Sequence, residues 1–260
     1  MSDRFHAFER VRNFRDFGGY TTRGGARVRR GLLFRSAHFA EATEQDVARL
    51  EALGCAFVVD LRRPSERSWQ PNRWPGEAGR VALHASDAAV EEKEPPHVEF
   101  LRSGDLTIEG VDQFMTATYR ELPFLPQHRE LFARFFEGLL AGRGAGVVHC
   151  AAGKDRTGVL AAVTLLALDV AEDDVFQDYD LTNQVAEFEN RLPPLQKALE
   201  AHVGRTIPLE ALRPFAGVRA GWLAAALAEI RVRSGSLEAY LSELGLDGAA
   251  RARLTEALTE

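Results

Sequence analysis

Lysine is nearly absent from this chain: only three of its 260 residues are lysines, and arginine supplies almost all of the positive charge. Cysteine is equally rare, because Cys55 and Cys150 are the only two. Two cysteines make no disulfide framework, and we therefore expect a protein of the reducing cytoplasm. No apolar run is long enough to cross a bilayer, and the charged N-terminus MSDRFHAFER does not resemble a secretory signal.

An excess of positive charge is also lacking, since the net charge at pH 7 is −6. That balance argues against general nucleic-acid binding. The charge is unevenly distributed, because residues 1–35 carry nine arginines against three acidic residues. These arginines form either a solvated surface or a basic wall beside an anion site. The seven histidines show no paired spacing, so we expect neither a metal nor another cofactor.

Apolar periodicity predicts one α/β domain over residues 1–260. Strands are expected where short apolar runs lie between polar residues, at 27–34, 55–61, 81–84 and 146–149. Helices are expected at 43–53, 108–122, 131–140 and 157–168, the first of them with a capping box at Thr43 to Asp46. Residues 63–80 and 85–106 are expected to form loops.

After residue 170 only helical patterns occur, at 172–191, 194–203, 216–232, 236–244 and 249–258. The predicted architecture is a central mixed sheet flanked by helices, with a helical C-terminal third.

The segment HCAAGKDRTG (149–158) lies between a predicted strand and a helix that is apolar almost all round. In such a unit, the loop N–H groups and the helix N-terminus favour a bound phosphate. The nucleotide-binding pattern G-x-x-x-x-G-K-[ST] does not fit, because Val148 stands five residues before Gly153 and Asp155 follows Lys154. The dinucleotide pattern fails too, because Val147 stands where its third glycine should be.

Cys150 and Arg156, separated by five residues, indicate a different chemistry. The loop amides would stabilise a thiolate and bind the oxygens of a phosphoryl group; they belong to Ala151, Ala152, Gly153, Lys154, Asp155 and Arg156. Arg156 could hold two of those oxygens through its planar guanidinium. Attack by the sulfur then gives a phosphocysteine, which water hydrolyses.

Two neighbours of this motif have supporting roles in the same hypothesis. We expect Thr157 to donate a hydrogen bond to the sulfur and His149 to fix the loop from behind. The alternative is a buried cysteine in a tight turn, which leaves the Lys-Asp-Arg cluster unexplained.

The segment also resembles the phosphate loop of the atypical bacterial tyrosine phosphatases of the mycobacterial phosphatase B type. Four further segments resemble that family in the same order, so the likeness covers nearly the whole chain: NFRDFGGY (13–20), GLLFRSAHF (31–39), VVDLRRPSER (58–67) and GSLEAYLSELGL (235–246). The resemblance implies the cysteine-phosphatase α/β fold with a helical lid or insertion, here at about 172–232. It also implies activity on phosphotyrosine and, in some members, on phosphoserine, phosphothreonine and phosphoinositides. Secreted members can lack a recognisable signal, which leaves export open for this chain.

The general acid has two candidates. Asp155 lies inside the loop, as in the myotubularin lipid phosphatases, whose loop aspartate is the acid. Asp60 ends a predicted strand, and the carboxyl ends of neighbouring strands line one crevice. Asp60 could instead pair with an arginine: Arg35, Arg62 or Arg63. A third aspartate, Asp112, lies nearest to the usual distance before the cysteine but falls in a predicted helix. Of these we prefer Asp155.

Lys154 is expected to project over the mouth of the site, where it could bind a second phosphate of a phosphoinositide. The alternative is that it only neutralises Asp155. Two other functions use a similar loop. A phospho-ligand-binding pseudophosphatase would lose the nucleophile or the acid, and a rhodanese-like sulfurtransferase would not need Arg-Thr-Gly at the helix start. We expect an enzyme that acts on a phosphoprotein or a phosphoinositide.

Overall fold

A five-stranded sheet lies at the centre of the part that the computed structural model describes, residues 4–73, 81–84, 95–184 and 187–260. In chain order the strands are β1 (Arg15–Asp16), β2 (Leu33–Ser36), β3 (Cys55–Asp60), β4 (Val81–Leu83) and β5 (Ala145–His149). Their spatial order is β1-β2-β5-β3-β4, with β1 antiparallel to β2 and the other neighbours parallel. The expected mixed sheet is confirmed.

Helices flank this sheet and form most of the C-terminal third. They are α1 (Glu44–Ala52), α2 (Pro64–Trp69), α3 (Pro96–Ser103), α4 (Ile108–Glu121), α5 (Pro126–Leu140), α6 (Asp155–Ala167), α7 (Glu172–Asp180), α8 (Glu187–Val203), α9 (Leu209–Ala216), α10 (Ala220–Ser234), α11 (Leu237–Glu243) and α12 (Gly248–Leu258). The predicted capping box of α1 is confirmed, with reciprocal hydrogen bonds between Thr43 and Asp46. None of the helices in the described residues is long and apolar enough to cross a membrane.

The central strands are apolar because both faces of the sheet are covered. Val58 and Val147 pack in one apolar cluster together with Leu50 of α1. Their neighbours Val59 and Val148 belong to the larger cluster on the other face, which α4, α5 and α6 help to build. Helix α6 is buried from Thr157 to Ala167, as its apolar sequence predicts.

Two segments expected to be loops contain helices. Helix α2 forms at 64–69 because Pro64 suits the first helical turn and Glu66 accepts a hydrogen bond from the Arg63 N–H. Helix α3 likewise begins at a proline, Pro96. The rest of these two expected loops includes 74–80 and 85–94, which lie outside the described residues. Strand β2 begins at Leu33 and not at Arg27 as expected.

The C-terminal helices are confirmed in outline but differ in their limits. The helix expected at 172–191 ends at Asp180, and a 3₁₀ turn follows at Leu181–Gln184. Helix α8 is continuous through Pro193 and Pro194, where the sequence predicted a break. Helix α9 was not predicted. The lid role of residues 172–232 stays a prediction.

Parallel pairing brings the carboxyl ends of three strands to one edge of the sheet. In the register, Ser36 of β2 and Asp60 of β3 both pair with His149, the last residue of β5. Cys150 follows directly, so the loop 150–154 lies at this edge. Cys55 pairs with Ala145 at the opposite end of β5, which separates the two cysteines by the length of the strand.

Candidate active site

The loop after β5 is held through its carbonyl groups. The Cys150 carbonyl accepts from His149 Nδ1 at 3.1 Å, and the Ala151 carbonyl accepts from the His38 N–H at 3.2 Å. Asn13 Nδ2 donates to the carbonyls of Ala152 and Gly153, at 3.2 and 3.0 Å. Four consecutive peptide groups are therefore anchored on their oxygen side.

The N–H groups of the same peptides point the other way, because the two ends of a trans peptide are opposed. Among the described residues, no group accepts a backbone hydrogen bond from the six residues that follow the cysteine, Ala151 to Arg156. Helix α6 begins at Asp155, so its N-terminal partial positive charge adds to these donors. The arrangement is a cradle for an anion, with Cys150 at its start.

Gly153 is required where the loop passes β2. Its φ is +68°, and a Cβ there would lie 2.3 Å from the Ser36 carbonyl oxygen. Any other residue would be both strained and in collision with the backbone.

Arg156 is held by a carboxylate that the sequence analysis did not assign. Its two terminal nitrogens donate to Glu66 of α2, at 2.6 and 2.7 Å, and Nη1 also donates to the Leu61 carbonyl at 3.0 Å. These contacts use three of the five guanidinium protons. The Nε–H and one Nη2–H remain, and they share one edge of the planar group, which suits a bidentate contact with two phosphate oxygens.

The pair of Arg156 and Glu66, which we call the front pair, keeps both charges ionised. Burial alone would lower the pKa of Arg156, but Glu66 outweighs it and raises that pKa above its ordinary value. Burial alone would raise the pKa of Glu66, but Arg156 lowers it to about 2. The side chains remain 17% and 24% exposed, so the pair is open to solvent.

His149 lies behind the loop in its neutral form. Because a carbonyl can only accept, Nδ1 carries the proton for the Cys150 carbonyl, and Nε2 accepts from Asn72 Nδ2 at 3.0 Å. Burial lowers the pKa of His149 to about 4. The ring lies edge-on against Phe39, with 5.0 Å between the centroids.

Asp60 lies next to His149 and is fully buried. Its carboxylate accepts three hydrogen bonds from Arg62, through the backbone N–H, Nε and Nη2, and one from Asn72 Nδ2. Burial alone would raise the pKa of Asp60, but His149 when protonated and Arg62 lower it below its usual range. Asp60 thus forms the ion pair with Arg62 that was the alternative to its role as the general acid.

Asp155 and Lys154 form a contact of their own at the loop end. Lys154 Nζ donates to Asp155 Oδ1 at 2.8 Å, and the Tyr119 hydroxyl donates to the same oxygen at 2.7 Å. The Lys154 side chain is only 4% exposed, whereas that of Asp155 is 27% exposed. The expectation that Lys154 projects over the mouth of the site is wrong for this structure, because its ammonium is buried against Asp155.

A wholly buried group, which we call the rear cluster, supports the loop from inside: Asn13, Arg15, Arg35 and Asp178. Arg35 donates to the Gly153 carbonyl at 3.1 Å and to Asp178 Oδ2 at 2.7 Å. Arg15 donates to the Asp178 carbonyl at 2.9 Å and to Asn13 Oδ1. Two guanidinium groups share one carboxylate, and burial together with Arg35 lowers the pKa of Arg15 to about 9.

For the arginines of residues 1–35 the sequence left two interpretations open, a solvated surface or a basic wall beside an anion site, and Arg15 and Arg35 form neither of them. Arg15 and Arg35 are buried behind the loop and bind protein groups. The stretch with Arg23, Arg27 and Arg29 precedes β2, at the sheet edge opposite to the loop. There the backbone of Arg27 and Arg29 bonds to Glu260 and Leu258.

Two further residues of the motif are buried. Cys150 is 2% exposed, as expected for the base of a narrow cradle. Thr157 Oγ1 is buried and has no hydrogen-bond partner among the described residues. Within those same residues, no group of three His, Cys, Asp or Glu side chains could hold a metal ion.

The structure brings the motif residues 149–157 to one edge of the sheet, with Asp60 beside them. The sequence analysis missed the groups that hold them. Asn13, Arg15, Arg35 and Glu66 all lie in segments that carried the family resemblance, which was the available signal. Asp178 and Tyr119 had no such signal, because each is one polar residue in an ordinary helical pattern.

An anion cradle with a cysteine at its start and an arginine at its end defines a class of phosphoryl-handling loop. The chain belongs to the tyrosine phosphatase family, whose model matches residues 6–260. The family resemblance is confirmed, and the protein is a hydrolase of the protein-tyrosine-phosphatase type.

Relatives agree with this assignment. A Cupriavidus necator protein that carries the name tyrosine-protein phosphatase is 36% identical, over 91% of this chain and 82% of its own length. The triple specificity protein phosphatase PtpB of Mycobacterium tuberculosis is 29% identical, over 91% of this chain and 92% of its own length. Among solved structures, the match to the human tyrosine phosphatase-like serine/threonine/tyrosine-interacting protein covers 77% of this chain and 91% of that one, at 13% identity and a TM-score of 0.34.

Proposed function

We propose that this protein hydrolyses phosphate monoesters, phosphotyrosine first among them, through a phosphocysteine at Cys150. The observation that carries the proposal is the two-sided loop. Its carbonyls are bound by the protein, while its N–H groups and one edge of Arg156 have no acceptor among the described residues. A phosphoryl group has the charge and the oxygens to fill both.

The reaction follows in two displacements. The Cys150 thiolate forms an S–P bond while the bond from phosphorus to the substrate oxygen breaks, and a general acid gives that oxygen its proton. Water then attacks phosphorus, the S–P bond breaks, and the thiolate leaves with its electron pair. The carboxylate that lost its proton takes one from the water, and inorganic phosphate is released. We assign Thr157 the support of the departing sulfur, because its buried hydroxyl follows the loop directly and makes no hydrogen bond among the described residues that would compete with this role.

Asp155 is the general acid of this proposal. Its side chain stands at the start of α6, next to the cradle, and is 27% exposed. Asp60 is fully buried, and Arg62 and Asn72 already donate to it. An acid must release its proton to substrate and recover it from water, which requires access that Asp60 lacks.

The substrate class rests on the relatives and on Lys154. Relatives across most of the chain are named as a tyrosine-protein phosphatase and as a triple specificity protein phosphatase. We therefore propose phosphotyrosine in proteins as the main substrate, with phosphoserine and phosphothreonine as further ones. Phosphoinositides are the second candidate from the family resemblance. The contact of Lys154 with Asp155 favours phosphotyrosine, because that ammonium already has a partner.

Phosphate release from a phosphotyrosine peptide tests the proposal, with thiosulfate sulfurtransfer measured beside it. We expect phosphate release and no sulfurtransfer. Cys150→Ser should lower turnover by at least ~10³-fold, because a serine hydroxyl stays protonated in the cradle, while vanadate still binds. Cys55→Ser is the matched control, since it removes the other buried thiol at the far end of β5 and should leave turnover unchanged. Appreciable turnover by purified Cys150→Ser protein contradicts the covalent mechanism.

A further inference from the structure

Two buried tyrosine hydroxyls from distant parts of the sequence form a hydrogen-bonded chain that ends on Asp155. The hydroxyl of Tyr119 in α4 lies 2.7 Å from Asp155 Oδ1. The hydroxyl of Tyr179 in α7 lies 2.6 Å from that of Tyr119. Both tyrosines are at most 1% exposed, and their rings meet edge to face at 6.3 Å. The contact thus joins two helices to the loop through hydroxyl groups alone.

The direction of this chain follows from proton counting. Each tyrosine hydroxyl has one proton to donate. Burial and the nearby Asp155 raise the pKa of both tyrosines well above the ordinary value, so both stay protonated. Tyr119 gives its proton to Asp155, and therefore Tyr179 must donate to Tyr119. Hydrogen bonds in such a chain strengthen one another.

The two oxygens of Asp155 are consequently not equivalent. Oδ1 accepts from both Tyr119 and Lys154 Nζ, at 2.7 and 2.8 Å. A proton carried by Asp155 must then sit on Oδ2, because Oδ1 already faces two donors. Free rotation about the last bond of an aspartate would exchange the two oxygens, and two donors on one of them prevent it.

We propose that Tyr119, and Tyr179 through it, are positioning residues that hold Asp155 with its transferable proton on Oδ2. This inference rests on the proposed role of Asp155 as the general acid. A tyrosine, a second tyrosine and a lysine together fix the orientation of the carboxyl group that serves the leaving oxygen.

Leaving-group dependence separates this role from a structural one. Phenyl phosphate has a poor leaving group that needs the acid, whereas 2,4-dinitrophenyl phosphate needs little protonation. Tyr119→Phe should lower kcat on phenyl phosphate by about tenfold, the effect of one hydrogen bond to a charged group, with KM unchanged. With 2,4-dinitrophenyl phosphate, kcat should change by less than about twofold. Tyr179→Phe should lower kcat on phenyl phosphate by about threefold and leave the dinitrophenyl substrate unaffected, because Tyr179 acts only through Tyr119.

Tyr240→Phe is the matched control. Tyr240 is also fully buried, and its hydroxyl donates to the Pro123 carbonyl at 2.8 Å and not to a residue of the loop. We expect no change on either substrate. The double variant Tyr119→Phe with Tyr179→Phe leaves no hydroxyl without a partner, so it should fold and reproduce the Tyr119→Phe pattern. Thermal melting of each variant monitors the fold.

The Asp155→Asn background distinguishes the two levels of the proposal. In that background Tyr119→Phe should have no further effect on phenyl phosphate, because the group it orients is gone. If Asp155→Asn lowers kcat on the two substrates equally, while Asp60→Asn lowers it mainly on phenyl phosphate, the acid assignment itself fails. The other case is that Asp155→Asn lowers kcat mainly on phenyl phosphate, while Tyr119→Phe lowers kcat equally on both substrates or on neither. In that case only the positioning role is overturned. Unfolding of both the single and the double tyrosine variants would also overturn it, since the hydroxyls would then hold the fold.

Discussion

Arginine side chains lie on both sides of the loop, and their surroundings differ on the two sides. In the front pair, Arg156 is partly exposed, keeps its own carboxylate and leaves one edge of its guanidinium for a ligand. In the rear cluster, Arg15 and Arg35 are wholly buried, share Asp178 and turn to the protein. In the proposed function, the same type of side chain thus binds substrate on one side and supports the cradle on the other. The difference lies in the carboxylates: Arg156 has Glu66 to itself, whereas Arg15 and Arg35 share Asp178.

The largest effect on stability is expected at Asp178 in the rear cluster. Asp178→Asn leaves two buried guanidinium groups without a carboxylate, and should lower the free energy of unfolding by about 3–5 kcal/mol. Chemical denaturation measures this. Asp112→Asn is the matched control, because Asp112 is also a helical partner of an arginine, Arg219, but both are more than 40% exposed. It should cost less than about 1 kcal/mol. Equal effects of the two variants would remove the distinction between buried and exposed pairs.

Replacing Arg156 in the front pair by lysine should affect catalysis more than stability, because the positive charge beside Glu66 is kept. Arg156→Lys keeps the charge but cannot present two parallel N–H groups, and should lower kcat/KM on a phosphotyrosine peptide by about 10²–10³-fold. Arg129 forms a partly exposed ion pair with Glu243, and Arg129→Lys serves as the control, for which kcat/KM should be unchanged. A near-normal kcat/KM for Arg156→Lys would count against the bidentate contact.

Glu66 should make the stability of the protein depend on pH in the acid range. The pKa of Glu66 is lowered from 4.5 to about 2; burial opposes this shift, and Arg156 causes it. A carboxyl with a lowered pKa adds stability that is present above pH 4.5 and is lost as the pH falls toward 2. Glu66→Gln should therefore flatten the decline of stability over that interval, and should lower kcat/KM by about tenfold or less. An unchanged acid profile would show that the front pair does not contribute to stability.

The smallest expected effect is at Lys154. Because its ammonium is bound to Asp155, Lys154→Ala should reduce activity on a phosphotyrosine peptide and on multiply phosphorylated phosphoinositides by similar factors. A substrate panel at low and high salt measures both. A larger loss on the phosphoinositides, reduced by salt, would show that Lys154 binds a second phosphate and would favour the lipid substrates.

The sequence was informative where local chemistry decides the structure. The apolar runs of β3 and β5, the capping box of α1 and the cradle after β5 are local patterns, and the structure contains all of them. The partners of the cradle are not local. Asp178 reaches Arg35 across 143 positions, and Glu66 reaches Arg156 across 90. An arginine-rich stretch predicts positive charge, but only the fold decides whether that charge faces solvent or a buried carboxylate.

Lys154 shows the same limit within the loop itself. Its place between Gly153 and Asp155 could be read directly, whereas the direction of its side chain could not. The Asp155 carboxylate accepts a hydrogen bond from the ammonium, and the Lys154 side chain is buried there. Motif spacing located the reacting groups, and the tertiary contacts set their orientation.

Direct capture of the phosphocysteine tests whether Cys150 is the nucleophile of the reaction. A substrate labelled on its phosphate is mixed with excess enzyme, the reaction is stopped with denaturant within milliseconds, and the labelled peptide is identified by mass spectrometry. The account predicts label on Cys150 alone, in the peptide that contains this residue, with none on Cys55 and none in the Cys150→Ser protein. Phosphate release at the normal rate with no label on Cys150 at any time would contradict it.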